Sequence, residues 1–160
     1  MNFAMADVGI VAWEAKYRGN LWRPVTAIRE ADRDGNSATL KHPEWSPLLT
    51  TPPHPEYVSG HSSFSGAACE VLKALLETDD VELAVTSENL PGVVRRYSRL
   101  SAIADEIGMS RIYGGIHFQT ANKDGKAMGR AIGRACAERF TLGARKDALE
   151  ASAARKELRQ

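Results

Sequence analysis

At 160 residues and 17.5 kDa, with 43% hydrophobic and 26% charged residues, the chain reads as one globular domain with a modest core. A formal charge of +1 and a pI near 7.8 argue against a nucleic-acid surface or a polybasic membrane patch. No apolar run approaches the roughly 18 residues that span a membrane, and the N-terminus lacks a basic segment and carries Asp7 inside its apolar part, unlike a signal peptide.

In chain order, residues 4–16 read as a short helix with Ala4, Val8, Val11 and Ala12 on one face. Residues 25–32 add another turn or two before "DRDGN", where Gly35 and Pro43 sit wrongly for a calcium loop and a plain turn is expected. From Lys41 to Tyr57 five prolines forbid a continuous helix. A loop that long in a small domain usually serves a function. Helical order returns at "SGHSSFSGAACEVLKALLE", with Phe64, Ala67, Ala68, Val71, Leu72 and Leu75 as the core-facing stripe.

The segment "DVELAVTSENLPG" reads mostly as connection, with room for one short strand. A further helix covers residues 98–112 with Leu100, Ile103, Ala104 and Ile107 inward. The last strong helix covers residues 116–140, in which His117, Ala121, Gly125, Gly129 and Gly133 recur every four residues. Each mid-helix glycine costs about 1 kcal/mol relative to alanine, so three in register imply a close neighbour. Cys69 and Cys136 lie on apolar helical stripes without CxxC spacing and read as buried free thiols. The fold class is all-α, with residues 1–142 as the domain and residues 143–160 as a polar, helix-prone, solvated tail.

Three short segments stand out against this background. They are Lys16-x6-Arg23-Pro24, Ser59-Gly60-His61 at a helix start, and Ser110-Arg111-x5-His117 across a glycine pair. Each has a plain reading alone: surface charges, a serine N-cap, a structural histidine. Together they supply three fixed cations, a hydroxyl, free N–H groups and two imidazoles, the parts of a tetrahedral-oxyanion site. The planar fork of arginine and the point charge of lysine suit the oxygens of such an anion.

The order K-x6-RP, SGH, SR-x5-H resembles the signature shared by vanadium-dependent haloperoxidases and type 2 phosphatidic acid phosphatases. The stretch from Ala6 to Phe140 is most similar to the bacterial haloperoxidase-like branch. The resemblance implies a helical bundle in which Lys16, Arg23 and Arg111 neutralise an oxyanion held also by Ser59 and Gly60. It implies that His61 is the acid/base residue and His117 the axial vanadium ligand, or the phosphorylated nucleophile in a phosphatase. Vanadate is the implied cofactor, with phosphate as a competing isostere. Hydrogen peroxide with bromide or iodide, or a phosphoester, are the implied substrates, and a non-catalytic oxyanion module is a third reading.

Trp13 and His54 fall where the peroxidases place residues near the halide, and a histidine at the second position resembles the bromoperoxidases. Ala121 stands where the motif usually has an Asp, and Asn122 and Asp124 are the nearest polar substitutes. The chain is short for the peroxidase branch, whose signature lies in the C-terminal half of a larger bundle, so a truncated or split domain is expected. The apolar side of "FAMADVGIVAW" and the glycine stripe would then face water, and a homodimer is the expected way to cover them.

Overall fold

The computed structural model describes the backbone of residues 1–157 and the side chains of residues 1–140; the expected solvation of the tail's side chains lies outside the described residues. Five α-helices and one β-hairpin follow in order: α1 Asn2–Gly19, α2 Pro24–Arg29, α3 Gly60–Leu76, β1 Asp80–Ser87, β2 Leu90–Arg99, α4 Leu100–Tyr113 and α5 Gln119–Glu157. The all-α helical-bundle class holds. None of the described helices is long and apolar enough to cross a membrane.

α1 buries Ala4, Val8, Ala12 and Lys16, one residue every four. Its predicted face is right except at Val11, which is 39% exposed, and the unforeseen fourth member is a lysine. Asn20 closes the helix in a left-handed conformation, its N–H bonding the Lys16 carbonyl. Pro24 opens α2 at a position whose N–H needs no helical partner. The "DRDGN" segment is a turn in which Asp34 Oδ1 accepts the Asn36 N–H at 2.7 Å.

α3 packs chiefly on α5, and the contact is made by small residues. A methyl group placed on Gly125 would stand 2.8 Å from the Ser59 carbonyl oxygen, and one on Gly66 would stand 2.7 Å from that of Lys126. Gly129 and Gly133 likewise abut the carbonyls of Ser63 and Ala67. The buried residues of α3 are Ser62, Ser63, Gly66, Ala67, Cys69, Glu70 and Val71; of the predicted apolar stripe Ala67 and Val71 are buried, whereas Leu75 is 70% exposed. The glycine stripe faces α3 within one chain and not water, which removes half of the reason for expecting a second chain. The other half is met in part: of "FAMADVGIVAW", Ala4, Val8 and Ala12 are buried while Phe3, Ile10, Val11 and Trp13 are exposed.

Two strands, not one, occupy the segment read as connection. β1 and β2 pair antiparallel with Ala84 opposite Arg96 and Ser87 opposite Leu90 across a two-residue turn. Nearly all of their side chains are exposed, so the burial contrast that normally marks a strand is weak. The hairpin joins the body through Asp79, whose carboxylate accepts the Ser101 backbone N–H at 2.9 Å at the start of α4. A small core of Cys69, Leu100 and Ala104 lies beneath, with Leu72 and Val81 against it. Cys69 is a buried free thiol as expected; Cys136 is free but only partly buried.

Candidate functional site

The proline-rich segment before α3 is fixed by groups that α1 and its C-terminal turn provide. Lys16, fully buried, donates from Nζ to the carbonyls of Pro55 at 3.1 Å and Glu56 at 3.2 Å, and to that of Val58. The Glu56 N–H donates to the Leu21 carbonyl at 3.0 Å. The Ser59 N–H reaches across to the Ala121 carbonyl of α5 at 3.1 Å. Ser59 then caps α3, its Oγ accepting the Ser62 N–H at 3.4 Å and lying 3.0 Å from the Ser62 hydroxyl oxygen. The backbone N–H groups of Gly60 and His61 lie in the first turn, ahead of the intrahelical ladder.

On the other side, α4 ends where the Gly114 N–H bonds the Ser110 carbonyl, and Gly115 follows at a φ of +72°. Only this second glycine needs the left-handed region; Gly114 is small because Leu49 packs against it. The turn carries the chain from Arg111 to His117 in a loop that ends just before α5, so His117 is not on the helix to which the sequence pattern assigned it.

A pocket of roughly 450 Å³ opens between these segments, with Trp13, Arg23, His54, Gly60, His61 and His117 on its wall. Arg23 links its sides. Its Nη1 donates to the Ile116 carbonyl at 2.9 Å and lies 2.9 Å from His117 Nε2, and its Nη2 lies 3.0 Å from His54 Nδ1. The His54 ring packs at 5.3 Å from Trp13, so the loop histidine is part of this wall. Arg111 stands near enough to His61 and Arg23 to lower the proton affinity of both. Its own Nε is buried with no hydrogen-bond partner among the described residues. A buried donor without a partner costs on the order of 1–3 kcal/mol, and such an atom marks a place where an acceptor belongs.

Lys16 and Ser59 lie behind the pocket wall. Among the described residues the three hydrogen-bond partners of the Lys16 ammonium are backbone carbonyls, so what it gives the pocket is charge.

His117 is 6% exposed, and its Nδ1 lies 2.7 Å from Glu56 Oε1. Burial pulls its pKa below the ordinary value, against the opposing pull of Glu56. The ring is therefore neutral at pH 7 and keeps a lone pair. His61 is also held below its ordinary pKa, by desolvation and then by Arg111, and stands exposed at the mouth. Neither Asn122 nor Asp124 takes the place of the carboxylate missing at Ala121. Asn122 Oδ1 accepts the Ser62 hydroxyl at 2.8 Å, and Asp124 Oδ2 accepts the Tyr57 hydroxyl at 3.0 Å. Glu56 was missed from sequence, where it is one acid in "TPPHPEYV" with no spacing rule to single it out.

The burial of Lys16 has a measurable consequence. Desolvation, and next Arg23, push its pKa down to about 8, against the opposing pull of Glu56. Below that value the ammonium adds a positive charge to the site; above it the charge is gone. Sulfate, whose charge is constant across this range, should therefore bind on the order of tenfold more weakly as pH rises from about 7 to about 9.5. Calorimetry should also show proton uptake on binding near the midpoint. A pH-independent affinity would mean that Lys16 does not feel the anion.

A model of the VCPO second helical-bundle domain matches residues 1–144. The vanadium chloroperoxidase of Curvularia inaequalis is 28% identical over 142 residues, covering 76% of this chain and 23% of that one. The structure of a bacterial vanadium-dependent iodoperoxidase superposes with a TM-score of 0.68 at 41% identity, covering 81% of this chain and 30% of that one. A holo-type bacterial vanadium-dependent chloroperoxidase gives 0.67 at 26% identity, covering 85% and 34%. The chain thus spans between 23% and 34% of the length of these relatives.

Proposed function

The chain belongs to the vanadium haloperoxidase family, as a VCPO second helical-bundle domain, and on that premise we propose that its pocket binds vanadate and oxidises bromide or iodide with hydrogen peroxide. The observation that carries this reading is the His117 imidazole on the pocket wall with Arg23 2.9 Å from its Nε2, and beyond it an Arg111, close to Arg23 and His61, whose buried Nε has no partner among the described residues. Among the described residues no three His, Cys, Asp or Glu side chains converge as a metal cage. The donor set fits an oxyanion: Arg23, Arg111 and helix N–H groups would hold its oxygens and His117 would supply a nitrogen ligand.

In this reading Lys16, Arg23 and Arg111 balance the anion's charge, and the Gly60 N–H orients its oxygens, with Ser59 behind the wall capping the helix that presents it. His117 offers the Nε2 lone pair. Bound vanadate supplies Lewis-acid activation of peroxide without a change in its oxidation state. His61, neutral at pH 7, is placed to accept a proton at its imidazole and return it. Trp13 and His54 border the space a halide would enter. The overall change is halide plus hydrogen peroxide plus a proton to hypohalous acid plus water.

A phosphomonoesterase acting through phospho-His117 is the second reading, favoured by the same Glu56–His117 pair because a carboxylate on Nδ1 raises the basicity of Nε2. Halide oxidation with peroxide, measured with and without vanadate beside turnover of a generic phosphate ester, separates the two. Vanadate-dependent halide oxidation is the expected result. Ester turnover inhibited by vanadate would instead establish the phosphatase, and tight vanadate binding with neither activity would leave a non-catalytic oxyanion module. Pairing of two chains is the accompanying proposal for the apolar face of α1 that this fold leaves exposed.

A further inference from the structure

His117 has a carboxylate partner although position 121 is alanine. Glu56, 61 residues earlier in the chain, brings Oε1 to 2.7 Å from His117 Nδ1, and Glu56 is only 1% exposed. The other ring nitrogen, Nε2, lies 2.9 Å from Arg23 Nη1. A guanidinium has donors and no acceptor, so Nε2 must be the accepting nitrogen. A neutral imidazole has one proton, which then sits on Nδ1 and is donated to Glu56. Oε1 also accepts the Phe118 backbone N–H at 2.9 Å, which ties the carboxylate to the start of α5. Two contacts therefore specify one tautomer and one ring orientation.

We propose that Glu56 is the positioning residue of this site, fixing the His117 tautomer whose bare nitrogen is Nε2, the atom that accepts from Arg23 and that an anion would have to take over. With the proton on the other nitrogen, the ring would present an N–H to the anion and could neither ligate nor attack. What Nε2 does rests on the functional reading above; how the ring is held does not. The bond to Phe118 alone would make Glu56 a cap on α5, and a cap is indifferent to where the imidazole proton sits. The tautomer therefore separates positioning from plain structure.

Long-range proton–nitrogen NMR on the full chain without vanadate, at about pH 8 where free imidazoles are neutral, reads it directly. The His117 signals are those lost in His117→Gln. The wild-type protein should show Nδ1 protonated and Nε2 bare. Glu56→Gln keeps an acceptor oxygen and should keep that pattern, whereas Glu56→Leu should give mixed or exchanging tautomers. Vanadate calorimetry should follow, with Glu56→Leu weakened by about 10- to 100-fold and Glu56→Gln by less than about tenfold.

A wild-type proton on Nε2, or a single Nδ1–H tautomer surviving in Glu56→Leu, would overturn the assignment and leave Arg23 or the fold to set the ring. Should the leucine variant not fold, the wild-type and Gln spectra still decide, since mixed tautomers in Glu56→Gln also contradict it. A wild-type protein that shows the expected tautomer yet binds no vanadate would sink the haloperoxidase reading and leave the positioning role standing.

Discussion

His117→Ala is expected to abolish stable vanadate binding, weakening it by at least about 100-fold, or about 2.7 kcal/mol. The variant removes the Nε2 that lies 2.9 Å from Arg23 on the pocket wall, the nitrogen that the proposed reading gives to the anion. It also leaves Glu56 and Arg23 buried without their shared partner, so loss of binding could reflect rearrangement of the loop. Free imidazole settles this, because it fits the space left by the side chain and should restore binding in part if only the ligand is missing. His61→Ala supplies the contrast. That side chain is exposed at the mouth and has no hydrogen bond to Arg23, Lys16 or Glu56, so vanadate affinity should change by less than about tenfold while turnover falls by about 100-fold or more. Equal loss of binding in both variants would contradict this division of labour.

The second large effect concerns the frame that carries the site. A methyl on Gly129 would run into the Ser63 carbonyl, and neighbouring positions on both helices leave no room to slide. Overpacking of that kind costs about 1–3 kcal/mol in a well-packed core, and here the obstacle is backbone, which cannot rotate away. Gly129→Ala should therefore lower stability by about 3 kcal/mol, or about 6–12 °C in Tm, despite the roughly 1 kcal/mol that alanine gains in helix propensity. Separating α5 from α3 also stretches the Ser59 N–H bond to the Ala121 carbonyl, so anion affinity should fall with stability. Gly19→Ala is the control. A methyl there meets nothing nearer than 3.9 Å, and its Tm should be unchanged or raised. Matching melting curves for the two variants would show that α3 and α5 are not held at this distance by the glycines.

The motif residues were legible because their chemistry forces residue type and local spacing together. Seven residues from Lys16 to Arg23 and six from Arg111 to His117 are short-range facts, fixed by one helix turn and one glycine joint. The helices were legible for the same reason, since a period of 3.6 needs no knowledge of the neighbour. The stripe at Gly125, Gly129 and Gly133 announced a close contact, but its partner was not singled out: Ser59, Ser63 and Ala67 repeat the same four-residue spacing with only small size to mark them. The β-hairpin was largely hidden because its side chains are exposed on both faces.

What only the tertiary structure decided is the company each charge keeps. Lys16 looks from sequence like a direct grip on the anion, yet its ammonium is spent on the Pro55, Glu56 and Val58 carbonyls. Ala121 looks like the loss of a carboxylate, yet Glu56 supplies one from another segment. Sequence by itself determined the helical frame and singled out the three short segments that the fold brings together beside one pocket, because periodicity and local spacing are properties of one segment. The fold decided which carboxylate reaches His117 and which cation is left unpartnered, because a side chain's proton partners are set by distances between segments some 60 residues apart.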